Sequence, residues 1–273
     1  KKLVETLRSK TKATAQAVAT DFSKIGTERR ATKLIGWMHE AAFNDPWILP
    51  LPEFDGFAFV SNWQKNTNAP LIPAHAKIAV MPNGIAPAFH ALFNGADILS
   101  AKANPPTAIY AGNSKRGLMV LPQIIPALRA RIPNLNFEIY SDCNIDNDET
   151  AKNNMQQQLL GLAGVTHVGA VSQAELPARF KRASYFISPN TYPETFCICL
   201  AEAMAAGCVP IITARAALPE TAHGFATLVP VANPATHSNS VNFEKDALDV
   251  DAFVNAAANA ITAHEALSNA NKT

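Results

Sequence analysis

Short apolar runs alternate with longer amphipathic stretches through most of the chain, a rhythm of strands feeding helices. From Lys33, "KLIGWM" predicts a buried strand, "HEAAFNDPW" a Pro-containing loop and "FDGFAFVS" a second strand ending in a polar turn. "NWQKNT" then starts a helix, and "KIAVMPNGI" is a strand stopped by Pro82-Asn83-Gly84. The first thirty residues carry only loosely spaced apolar positions (Leu3, Leu7, Ala17, Phe22) and predict a helix.

"ILSAKANPP" reads as a junction after which the alternation becomes strict. The strands are "TAIYAG", "LNFEIYSD", "VTHVG", "SYFISPN" and "VPIIT". The helices between them are "GLMVLPQIIPALRARI", "NNMQQQLLGLA", "SQAELPARFKRA" and "FCICLAEAMAAG", and "DVDAFVNAAANAITAHEAL" closes the chain. Such alternation implies an α/β fold, a doubly wound parallel sheet with helices on both faces. The junction divides the chain into residues 1–99 and 100–273.

Composition narrows the function classes. The 273 residues are 48% hydrophobic and 16% charged, with a formal charge of +1 and no basic stripe, which argues against nucleic acid as a partner. Cysteines 143, 197, 199 and 208 have no metal-ligand spacing and read as buried free thiols of a reducing, cytoplasmic compartment. No apolar run approaches the roughly 18 residues of a membrane span, so at most a peripheral membrane association is expected. The chain opens on "KKLVETLRSK" without a Met, the start expected of a fragment or a processed chain.

In a doubly wound sheet, ligands bind where strand ends pass into helix amino-termini. Three junctions therefore carry the candidate chemistry. In "SPNTYPETFCICLAEAMAAG" a helix is expected to start near Thr195 or Phe196, presenting the free N–H groups of Thr195, Phe196 and Cys197 to an anion. Glu194 stands at that mouth, and Glu202, two turns on, falls near the same side, where a carboxylate suits a ribose diol. The spacing equally fits an acid complementing the helix dipole and a second facing solvent. In "YAGNSKRGLMVLP" a strand ends at Gly112, and Ser114, Lys115 and Arg116 gather cations and amides of the kind a diphosphate needs; a solvated basic turn would look the same. "THVGAV" ends a strand at Gly169, where a planar base could lie on the backbone beside Val168.

"PETFCICLAEAMAAGCVPI" resembles the E-x7-E signature of GT-B retaining glycosyltransferases of the large GT4-type family. "VMPNGIAPAF" looks like that family's segment before the inter-domain linker. "IYAGNSKRGLMVLPQIIPALRARIPNLNFEIY" is similar to the opening of its nucleotide domain, and "HVGAVSQAELPARFKRASYFISPN" to the run between them. The matches are collinear from about Asp55 to Pro219. The resemblance implies a GT-B fold of two Rossmann-like domains. The amino-terminal, acceptor-side domain is expected to be incomplete, because its Gly-rich loop and first strands have no counterpart here.

Carried over residue by residue, the resemblance implies that Glu202 binds the ribose hydroxyls and that Glu194, with the amides of Thr195, Phe196 and Cys197, addresses the transferred sugar. Arg116, with Ser114 and Lys115 beside Gly112, would neutralise the diphosphate, and Val168-Gly169 would contact the base. His39, matching a strand-ending His of the family, would stand near the sugar's reacting end. The implied activity is a metal-independent, retaining transfer of a sugar from a nucleotide-diphosphate-sugar, a substrate rather than a cofactor, to an acceptor hydroxyl of a glycan, lipid or protein. Two departures stand out: Cys197 replaces a common glycine, and Ala86 replaces an aspartate. The alternatives are a sugar-nucleotide-binding module without turnover and a GT-B sugar-nucleotide epimerase.

Overall fold

The computed structural model describes residues 33, 35–39, 54–145, 147–231 and 248–270. The helix expected over the first thirty residues and most of the loop expected after it lie outside these. The described residues fall into two compact units, one ending at Pro82 and the other beginning at Asn83.

The first unit is a parallel three-stranded sheet in the order β1 (Ile35–Met38), β2 (Gly56–Phe59), β3 (Lys77–Val80). Helix α1 (Asn62–Asn68) begins at Ser61, whose side chain accepts the Gln64 N–H and so satisfies one of the open amides of the first turn. Phe54, Phe57 and Phe59 form its buried cluster, joined by Met38 and Ile72.

The second unit holds six parallel strands: β4 (Thr107–Ala111), β5 (Asn136–Tyr140), β6 (Val165–His167), β7 (Tyr185–Ser188), β8 (Val209–Thr213) and β9 (Thr227–Val229). Between them run α2 (Leu121–Arg131), α3 (Glu149–Leu160), α4 (Leu176–Arg182), α5 (Ile198–Ala205) and α6 (Leu218–Ala222), and α7 (Val250–Ala270) follows. The order is β6-β5-β4-β7-β8-β9. Counted within the unit this is 3-2-1-4-5-6, the doubly wound arrangement of dinucleotide-binding folds, with its topological switch between β4 and β7.

Alternation along each strand builds the two cores. Ala108 and Tyr110 of β4, Phe137 and Ile139 of β5, and Tyr185 and Ile187 of β7 face α2, α3 and α7, where Ile124, Leu128, Leu159 and Phe253 are fully buried. Ile109, Ala111, Tyr140, Phe186 and Ile212 point the other way, onto Phe180 of α4, Leu200 and Ala203 of α5 and Leu218 of α6. Pro122 sits in the first turn of α2, where its missing N–H costs nothing; Pro126 lies inside the helix, which continues past it to Arg131.

Two elements carried too little pattern to stand out in the sequence. α6 is five residues long and β9 three, an edge strand paired only with β8. The segment from Asn83 packs with the second unit, its Phe89 buried edge-on against Phe180 with ring centroids 5.8 Å apart.

Candidate functional site

The loops leaving β4 and β7 meet at the switch point, and glycine makes the meeting possible. Gly117 adopts φ +94°, and a Cβ there would collide with the Pro189 carbonyl, so both its backbone conformation and its contact exclude a side chain. The β4 loop is folded around Asn113. Its Oδ1 accepts the Lys115 N–H at 3.0 Å, and its carbonyl accepts the Arg116 N–H at 2.9 Å and the Tyr110 hydroxyl at 2.8 Å. Ser114 is buried, and its hydroxyl donates to the Asn144 carbonyl beyond β5. Two amides expected to face a diphosphate are thus engaged within the loop. What this loop projects is the Arg116 side chain.

Arg116 and Glu194 form a part-buried ion pair through Nε, with side chains 26% and 14% exposed. The guanidinium carbon lies 3.6 Å from the centroid of the Tyr192 ring, a stacked cation–π geometry. Among the described residues no hydrogen bond engages its Nη groups, which keeps that edge of the fork available to an anion. The β7 loop that supplies Tyr192 and Glu194 is fixed by Asn190. Its Oδ1 accepts the Tyr192 N–H at 2.7 Å, and its carbonyl accepts the Thr213 hydroxyl. α6 secures the next stretch: the Ala217 N–H donates to the Glu194 carbonyl at 3.0 Å, and the Thr221 hydroxyl to the Phe196 carbonyl.

The helix starts later than the sequence suggested. Ile198 is its first residue, and Cys197 is an N-cap in the left-handed region, φ +65°, so Thr195 and Phe196 belong to the loop and not to the first turn. A positive φ is the physical reason a glycine would be at home at 197.

Glu202, in the middle of α5, is 2% exposed. Its Oε2 is buried with no hydrogen-bond partner among the described residues. Burial pushes its pKa up, and the Ala86 N–H opposes that rise. A solvent-facing helix acid would show none of these features. The thiols nearby stay protonated: burial, with Glu202 and Glu194 adding to it, pushes Cys199 up to about 12, and burial raises Cys197 well above its usual range.

Val168 and Gly169 follow β6. Gly169 has φ +85°, and the space a Cβ would occupy is open, so a flat group can approach the chain there. Gly112 ends β4 with ordinary van der Waals room. His39 follows β1 in the first unit, exposed, its ring 4.8 Å from that of Trp37. Within the second unit, then, Arg116 and Glu194 are in direct contact, and Glu202 lies on the helix that the Glu194 loop enters.

A family model described as "Glycosyl transferases group 1" matches residues 105–242, just over half of the chain. The chain belongs to that family. The solved structures it resembles include the pneumococcal O-GlcNAc transferase GtfA in complex with UDP and GlcNAc, at 15% identity and TM-score 0.58, covering 85% of this chain and 46% of that one. HepE from Anabaena, in complex with UDP and glucose, shows 14% identity and TM-score 0.57 over 93% of this chain and 71% of its own. Sucrose-phosphate synthase from Thermosynechococcus elongatus shows 18% identity and TM-score 0.57 over 90% and 68%. These likenesses establish the α/β, GT-B type fold. The chain spans less than half of the GtfA chain. No curated protein sequence matches it significantly.

In this group 1 family member several site residues gave no sequence signal. Tyr192 and Asn190 are ordinary loop letters until the Arg116 stack is seen. The sequence also holds two Asp-x-Asp triplets, at 146–148 and 249–251. Asp148 caps α3 by accepting the Thr150 and Ala151 N–H groups, and Asp249 accepts the Ala252 N–H at the start of α7. Among the described residues no group of three or more His, Cys, Asp or Glu could hold a metal ion.

Proposed function

We propose that this chain binds a nucleotide-diphosphate-sugar at the switch point of its second unit and transfers the sugar to an acceptor hydroxyl with retention of configuration. The observation that carries this reading is Glu202, a buried carboxylate with one oxygen lacking a partner, at a position the family uses for ribose. A buried, unpartnered acceptor is costly unless a ligand completes it, and a ribose diol supplies the donors it lacks.

The other residues take roles their chemistry suits. Arg116, braced on the Tyr192 ring, turns its Nη edge to the diphosphate with Lys115 on the same loop. The departing diphosphate gains negative charge in the transition state, so a guanidinium already fixed by stacking and an ion pair stabilises it with little reorganisation. Glu194 is shared between Arg116 and the hydroxyls of the sugar, which positions the anomeric carbon. The bare glycine backbone at 169, beside Val168, accommodates the base. Thr195, Phe196 and Cys197 line the approach to α5, and His39 is assigned to the acceptor side. This reading places the transfer in the cytoplasm, where a peripheral membrane association is compatible with it.

Calorimetry with UDP-, GDP- and ADP-sugars tests it. A nucleotide should bind, and Glu202→Ala should weaken it roughly tenfold or more, as loss of a charge-assisted hydrogen bond implies. Undiminished binding by Glu202→Ala would place the ribose elsewhere. An acceptor panel then separates the alternatives: donor binding without turnover indicates a binding module, and recovery of an epimerised nucleotide-sugar indicates an epimerase.

A further inference from the structure

Asn190 stands where the two loops of the switch point touch. It is the second residue past β7, next to the Pro189 carbonyl that excludes a side chain from Gly117, and Gly117 directly follows Arg116 in the β4 loop. The Asn190 backbone nitrogen lies 3.1 Å from the same Cβ position of Gly117. Two of its groups hold the loop together. Oδ1 accepts the Tyr192 N–H at 2.7 Å, and the carbonyl accepts the Thr213 hydroxyl from the end of β8. The first of these bonds fixes which way the side-chain amide faces, because only its oxygen can accept an N–H.

The other end of that amide is left over. Asn190 is 1% exposed, and no hydrogen bond among the described residues engages its Nδ2. Unlike Glu202 Oε2, this nitrogen is not sealed from solvent, so the little access that Asn190 keeps reaches its donor. A polar side chain this deeply buried rarely leaves a strong donor unused. The fold of the loop does not call for it, since aspartate or serine would accept the Tyr192 N–H in the same kind of turn. What asparagine adds is a pair of N–H donors without a charge.

We propose that Asn190 binds the diphosphate of the nucleotide-sugar, its Nδ2 donating to a phosphate oxygen from the β7 loop while Arg116 meets the same group from the β4 loop. This rests on the nucleotide-sugar reading given above. With Oδ1 engaged, the amide offers donors alone. Phosphate oxygens only accept, so the match is complete, whereas a sugar hydroxyl bound there would still need an acceptor for its own proton.

Asn190→Asp keeps an oxygen in place for the Tyr192 N–H and replaces the donor by a second acceptor. Asn190→Ser keeps a shorter acceptor and adds no charge that could recruit Arg116. Both should melt close to the parent. The readout is calorimetry with UDP, GDP and ADP, followed by a sugar derivative of whichever binds. Asn190→Asp should bind the preferred nucleoside diphosphate at least about tenfold more weakly, and Asn190→Ser roughly three- to tenfold, with the nucleotide-sugar weakened in proportion. Unchanged diphosphate affinity in Asn190→Ser overturns the contact even if the aspartate binds poorly, because the aspartate would then act through its charge alone. A loss confined to the nucleotide-sugar gives Nδ2 to the sugar and overturns the phosphate assignment. Should one variant fail to fold, the other decides: weakened diphosphate binding supports the contact, and binding as tight as the parent's overturns it. A parent chain that binds none of the three nucleotides defeats the functional reading itself, an outcome separate from these.

Discussion

At the scale of single residues, Glu202 holds the sharpest conflict between stability and function. Its folded pKa is raised by burial, so between the unfolded value and the folded value the native state holds more protons than the unfolded chain. Stability must therefore fall as pH rises through that window. Glu202→Gln removes the buried charge and should raise the melting temperature at neutral pH, by about 1 kcal/mol or more of stability, while losing nucleotide affinity. The gain should vanish in acid, below the unfolded carboxyl pKa; scans of both proteins at several pH values check the sign. Cys197 makes a second, independent case. In the left-handed region at φ +65° a non-glycine residue costs about 1–2 kcal/mol, and a β-branched one more. Cys197→Gly should leave the denaturation midpoint nearly unchanged, because relief of strain offsets glycine's entropy, and Cys197→Val should lower stability by about 1–2 kcal/mol. If valine is tolerated as well as glycine, Cys197 is not left-handed in solution. The family pattern hinted at this position by its usual glycine, but only the backbone angle gives the hint a cause.

At the scale of elements, the site depends on two loops that touch at one glycine. Gly117→Ala forces a Cβ into the Pro189 carbonyl at positive φ, so it should cost more than about 2 kcal/mol and disturb nucleotide binding together with stability. Tyr185→Phe provides the contrast. Tyr185 opens β7 at the end opposite the site, and its hydroxyl donates to Glu265 of α7 at 2.5 Å. Removing it should cost about 1 kcal/mol and leave nucleotide affinity unchanged; loss of binding there would mean that α7 reaches the site. These elements also show what a sequence can and cannot display. Strands such as "TAIYA" and "YFIS" are buried on both faces and declare themselves as apolar runs. The short α6 and β9 have too few residues for a period to register, yet α6 anchors the Glu194 loop. Arg116 and Glu194 were legible separately, as a cation and an acid at strand ends. Their contact, 78 residues apart in sequence, depends on β4 and β7 being neighbours, which no local pattern encodes.

At the scale of the whole molecule, the segment Asn83–Lys102 decides where the second unit begins. Sequence composition favours the two prolines after Ala103 as a boundary, with the second unit taken from residue 100. The packing gives Asn83 onward to that unit, since Phe89 completes a core cluster against which Ile85 and Ala86 also pack. Two truncations separate these divisions. A chain from Asn83 retains both contacts and is expected to unfold cooperatively and to bind nucleotide as the parent does. A chain from Ser100 retains Lys102 but loses Phe89, an aromatic side chain whose removal from a core costs about 3–5 kcal/mol. It should melt well below the longer fragment, because the cluster that Phe89 shares with Phe180 and Leu200 is left open. Equal melting temperatures of the two fragments would show that Phe89 and its neighbours are not part of the second unit's core.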